Sequence, residues 1–262
     1  MMTEHQTDTR IASSSLRHVP RVAGAVGVMV GLLVLFGWMF DIAALKSIHP
    51  ALATMKVNTA IAFLLAGVSL WLLRLPPRQR TAEKNGQAFR TTVARAGAFA
   101  VATIGLLTFS QYLFGWDLRI DQLLFREPPG AVGTSHLGRM APNAALNFLF
   151  IGVALLLLDA SNRRARQVSQ ILTLLALLIS VQALVNYAYG ITSFYGIASY
   201  VLMALHTALM FAVLCVGILC ARPERGVMAI ITSDAGGGLF ARRLLLISFF
   251  VPLVLGLSLI HI

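Results

Sequence analysis

Charge is scarce in this chain of 262 residues. Asp, Glu, Lys and Arg together make up 12%, where soluble domains carry about 25%. Apolar residues reach 58% and mean hydropathy is +0.80, which excludes an ordinary soluble globular domain. Acid is scarcer still: ten acidic residues stand against 21 basic ones, a formal net charge of +11. Two cysteines leave neither a disulfide scaffold nor a Cys-rich zinc site. Cys215 and Cys220 read as packing residues. The long apolar runs hold no Asp, Glu, Lys or Arg, whereas pumps and ion-coupled transporters place such groups at mid-membrane. The segment Thr232–Gly238, with its Gly-Gly-Gly, lacks the GxxxxGK[ST] pattern of a phosphate loop and reads as a flexible turn. No nucleophile–base pair or acid/base couple assembles, so no catalytic residue and no cofactor is predicted.

What is present is apolar length. A helix needs about 20 largely apolar residues to cross the hydrocarbon core. Seven charge-free runs qualify or come close: Val22–Phe40, Val57–Leu73, Ala96–Gly115, Met140–Leu158, Gln167–Tyr189, Tyr200–Ala221 and Leu244–Ile262. The reading is an all-α polytopic helical bundle with seven spans, the chain stopping in the seventh. Arginines crowd the N-terminal segment 1–21 and the even connections, among them Arg78, Arg80, Arg90, Arg163, Arg164, Arg222 and Arg225. The odd connections hold only Lys46, Lys56, Arg119, Arg126 and Arg139. The positive-inside rule then places the N-terminus and the arginine-rich connections in the cytoplasm. The net charge is thus a topology signal and an attraction to anionic headgroups, with no nucleic-acid partner implied.

Self-similarity organises the first six runs. Met55-Lys-Val-Asn58, Met140-Ala-Pro-Asn143 and Met203-Ala-Leu-His206 open alternate runs, with alanine at the fifth position beyond each Met and phenylalanine (Phe63, Phe148, Phe211) at the eighth. The preceding runs end Phe36-Gly-Trp38, Phe114-Gly-Trp116 and Tyr189-Gly-Ile191. Three parallel helix hairpins are expected, at 22–73, 96–158 and 167–221, followed by a cytoplasmic connection 222–243 and a last span 244–262. A threefold-like arrangement about the membrane normal is their natural packing. Trp38, Phe40, Trp116, Tyr187, Tyr189, Tyr195 and Tyr200 fit an interfacial belt. Gly27 and Gly31, like Gly97, Ala98, Ala102 and Gly105, mark close helix contacts, within the bundle or between protomers.

Asn58, Asn143 and His206 occupy one repeat position. In a threefold bundle they would converge on a small polar pocket, which makes them candidate ligand-binding residues. The alternative is that they satisfy helix amides or bond a neighbouring helix. His49, His136 and His206 with the three repeat methionines raise a copper site, but the histidines do not coincide between repeats. A bis-histidine haem lacks a partner for His206 at matching depth. No metal is predicted. The connection Asp117–Arg139, with three acids and three arginines, reads as a lid on the membrane surface or a ligand-capture loop.

The runs MKVNTAIAFLLAGVSLWLL (from Met55), LFGWDLRIDQLLF (from Leu113), GRMAPNAALNFLFIGVALLLLD (from Gly138), YGIASY (from Tyr195) and MALHTALMFAVLCVGILCARPERGVMAIITSDAGGG (from Met203) resemble one bacterial membrane region. It is the N-terminal multi-span sensor region of sensory histidine kinases, often PAS-containing, and of some GGDEF diguanylate cyclases. Val57 and Ala144 stand where relatives often have Pro and Thr. The resemblance implies an inner-membrane input module and, in a longer parent, an eighth span, PAS, phosphoacceptor and ATP-binding domains. Partners implied are the lipid bilayer, a second copy through the parent, and a response regulator. It implies no ligand. A small-solute transporter or channel is the rival reading, favoured by the parallel repeats.

Overall fold

The structure is a computed structural model that describes residues 18–73, 84–132, 134, 136–188 and 203–222, with the single positions Ala229, Gly238 and Arg243. Seven helices are present among them: α1 (Val19–Met39), α2 (Ala43–Lys46), α3 (Val57–Leu73), α4 (Lys84–Phe114), α5 (Pro142–Leu157), α6 (Arg163–Ala188) and α7 (Leu205–Cys220). Pro20 and Pro142 stand in the first turns of α1 and α5, where a missing N–H costs no helical bond. α4 starts at Lys84, well before the apolar run at Ala96, because the helix continues through the charged stretch containing Arg90 and Arg95.

Each long helix packs on the short helix after it: α1 on α3, α4 on α5, α6 on α7. Contacts of α3 with α4, α5 with α6 and α7 with α1 close the ring, and α3, α5 and α7 touch one another inside it. Phe63, Phe148 and Phe211, all fully buried, meet there as a triangle with ring centroids 4.6–4.9 Å apart. The three short helices run the same way. Their starts gather Met55, Met140 and Met203 around one gap, and their ends gather on Arg222. Its Nη2 donates to Leu73 O at 3.0 Å and to Asp159 Oδ1 at 2.6 Å. These are called here the methionine end and the Arg222 end.

The expected seven spans are not what the structure supports. Three helices are long and apolar enough to cross a membrane: Val19–Met39, Arg163–Ala188 and, within α4, Gly86–Phe114. The short helices α3, α5 and α7 have 17, 16 and 16 residues. At 1.5 Å per residue that is about 24–26 Å, below the ~30 Å hydrocarbon core. Their apolar character has another cause: they are hydrophobic because they form the centre, with Ala60, Phe63, Ala66 and Leu70 of α3 fully buried. A helix apolar on all sides reads as a span or as a core, and these form the inside of the ring, α7 keeping one face exposed at Leu209, Val213 and Val216. The seventh run, Leu244–Ile262, falls outside the described residues, as does nearly all of 222–243 beyond Arg222. What stands is an all-α, membrane-associated, multi-pass bundle.

Candidate functional site

Polar chemistry concentrates at the methionine end. The connection from Gly115 to Ala141, apart from residues 133 and 135, folds over it as a cap. Lys56, just before α3, pairs with Glu127; both side chains are almost fully buried. Lys56 Nζ also donates to Thr134 Oγ1 at 2.7 Å, and Thr54 Oγ1 donates to Glu127 at 3.1 Å. The second Glu127 oxygen accepts the Gly138 N–H at 2.7 Å. Gly138 has φ +74, and a Cβ there would stand 2.5 Å from the Asp121 carbonyl oxygen, so only glycine fits. Burial pushes the Lys56 ammonium below its ordinary value, against the hydrogen bond and charge of Glu127.

A second buried pair lies within the cap, and Gln111 ties it to α4. Arg139 Nε donates to Asp121 Oδ2 at 2.7 Å and its Nη2 to Gln111 Oε1 at 3.1 Å. The same Gln111 oxygen accepts the Leu118 N–H at 2.9 Å. The guanidinium lies 5.4 Å from the Tyr112 ring centroid. Between this floor and the end of α4 opens a cleft of about 770 Å³, walled by Tyr112, Trp116, Gln122, His136 and Leu137, with Arg119 and Arg126 on its lining.

The three residues at the shared repeat position are not on the lining of the small gap between the helix starts. Asn58 Nδ2 donates to the Ile120 carbonyl at 3.0 Å, and Asn143 Oδ1 accepts the Ala144 N–H at 3.0 Å. His206 Nε2 is buried without a hydrogen-bond partner. The gap on the axis measures about 10 Å³ and is lined instead by the methionines, Lys56, Thr59, Ala144 and Thr207. No group of three His, Cys, Asp or Glu side chains is placed to hold a metal among the described residues.

Of the expected belt, Phe40 and Trp116 are exposed. Trp38 is not a belt residue: it is buried, and its Nε1 donates to Met55 O at 2.9 Å. Tyr112 and Tyr187 do the same for the other two methionines, to Met140 O at 3.0 Å and Met203 O at 2.7 Å. An aromatic donor from each long helix thus ties down the start of each short one. Tyr189, Tyr195 and Tyr200 lie outside the described residues. Buried unsatisfied oxygens also occur at Thr108 Oγ1 and Asn147 Oδ1, while Asn147 Nδ2 joins α5 to Ser180 of α6 at 3.1 Å.

No protein-family model matches the chain, and neither a curated protein nor a solved structure does.

Proposed function

We propose that the chain is the membrane input module of a bacterial two-component sensor kinase, its methionine end facing outward and its N-terminus and Arg222 end in the cytoplasm. The observation that carries the reading is the pinning of the cap to the helix starts. Lys56–Glu127 holds it to the start of α3, and Arg139 and Leu118 hold it to Gln111 of α4, so a displacement of the cap displaces the helices. A stimulus acts by binding or stressing two packings of the bundle unequally, which is the only way it can shift their populations. Arg21, Arg163, Arg164, Arg166 and Arg222 at the far end favour the cytoplasmic side. The motif resemblance favours a kinase output, reached through a second copy and a response regulator in a longer parent; a diguanylate cyclase output uses the same module. The filled phenylalanine triangle argues against a solute pathway along the axis. Asn58, Asn143 and His206 enter as candidate ligand contacts beside the three helix starts.

The test is a parent gene read beyond Ile262 and expressed with a phosphorylation readout. Expected are a His-bearing helix and an ATP-binding domain downstream, and a stimulus response altered by joint Asn58→Ala, Asn143→Ala and His206→Ala. An unrelated downstream domain removes the kinase reading; an unchanged response leaves the triplet with packing alone. In intact cells an impermeant thiol label should reach a cysteine placed at Ala131 and miss one at Arg80, and the reverse pattern inverts the orientation.

A further inference from the structure

We infer that the cleft between the end of α4 and the cap binds a small organic anion, its charged group on Arg119 and Arg126 and its apolar body against Trp116 and Tyr112. The inference deepens the input-module reading and rests on it for biological meaning, but the binding can be tested alone.

Four observations carry it. The cleft, at about 770 Å³, has the size of a small-molecule site. Its charges are unequally spent. Arg139 is consumed by Asp121 and Gln111, and Asp117 lies 3.7 Å from the same guanidinium while its Oδ1 accepts the Arg119 N–H at 3.0 Å. The Arg119 and Arg126 side chains have no ion pair or hydrogen bond among the described residues. Both carboxylates of the lining are therefore engaged, and two guanidiniums remain to offer paired N–H donors, the geometry that carboxylate and phosphate oxygens accept.

The backbone contributes the third. Arg119 has φ +55, a left-handed conformation that is costly without glycine and clusters where a side chain must be aimed. The Asp117 turn holds it there. Lastly, the wall is aromatic: Trp116 is half exposed and stacks on Phe114 at 4.8 Å between centroids, and His136 stands edge-on to Tyr112 at 5.9 Å. A bare inorganic ion would leave that wall unused. A cation would meet two uncompensated arginines.

The same chemistry has two sources, a soluble carboxylate or phosphate ester and an anionic lipid headgroup reaching in past the exposed Leu113 and Phe114. The test uses the whole chain in phosphatidylcholine nanodiscs titrated calorimetrically with phenyl phosphate, and a second set of discs containing phosphatidylglycerol. For a soluble ligand, phenyl phosphate binds saturably in both disc types. For a headgroup ligand, phosphatidylglycerol weakens the titration and is enriched around the purified chain. In either case Arg119→Gln with Arg126→Gln lowers the affinity, or the enrichment, at least tenfold at an unchanged unfolding temperature. Trp116→Leu weakens phenyl phosphate more than inorganic phosphate. Absence of saturable binding and of lipid enrichment overturns the proposal, as does equal binding by the double variant. A parent protein whose output ignores the anion would refute the sensor reading while leaving the site in place.

Discussion

Asp121 and Arg139 are buried together within the cap, so removing either partner strands a charge. Asp121→Ala should destabilise the chain by about 3–5 kcal/mol, the usual cost of breaking a buried pair. Replacing both with apolar residues (Asp121→Leu with Arg139→Met) should recover much of it. Denaturant titration in detergent reads both, and a double variant no better than the single one would show that Arg139 acts through Gln111 instead. Lys56 adds a pH dependence. Its folded value lies below the ordinary 10.5, so between the two the unfolded chain holds more protons. Its contribution therefore makes stability rise with pH in that window, complete above 10.5 and lost as pH falls through the folded value. Lys56→Met should flatten that alkaline rise in unfolding midpoint, and an unaltered slope would assign it to another group. At this scale the repeat signal was legible, but the direction in which each repeat position faces was not. A helix turns 100° per residue, so Thr59 and Phe63, four apart in α3, share one stripe. Asn58 precedes Thr59 by one residue and so faces about 100° away from it, where it reaches Ile120. The aromatic donors to the three methionine carbonyls were hidden because the intervening segments differ in length.

At the scale of elements, small residues decide how closely helices approach. Gly31 and Gly67 let α1 and α3 nearly touch: an added Cβ would stand 2.7 Å from Ala60 O at the first and 2.6 Å from Gly24 O at the second. The glycine pattern of α1 was visible in the sequence; that it serves a contact within the chain was not, since spacing does not name the facing helix. Backbone cannot retreat as a side-chain tip can, so Gly67→Val should cost about 1–3 kcal/mol or more by overpacking, seen as a lowered unfolding temperature without a change in oligomeric state. A change of oligomeric state at equal stability would move that contact to an interface between chains. Helix lengths were the weaker part of the sequence reading. Hydropathy marks where a segment is apolar, and it cannot tell α3, enclosed by α1 and α4, from a helix enclosed by lipid. The same blindness hid the first turns of α4, which are polar yet helical.

For the whole molecule the question is whether the cap and the Arg222 end belong to one mechanical unit. The phenylalanine triangle joins the three short helices at mid-height, and close-packed interiors transmit strain rather than absorb it. Arg222 then closes the far end by bonding Leu73 O at the last residue of α3 and Asp159 just after α5, from its own place after α7. A disturbance of the cap therefore has a contiguous path from α5 to α3 and α7. Asp121→Asn, which weakens the cap without removing its bulk, should raise amide hydrogen exchange at the starts of α3 and α7 as well as across 117–139. Truncating Phe148 to Ala in the same chain should uncouple the helices, so that the cap change no longer reaches α3 and α7, after correcting for the 3–5 kcal/mol or so that a buried Phe→Ala costs alone. The comparison matters because contiguity by itself does not demonstrate coupling; a two-state element biased from both ends does. If exchange rises only within 117–139, the cap and bundle are independent units, and an input signal received there would need another path to the Arg222 end.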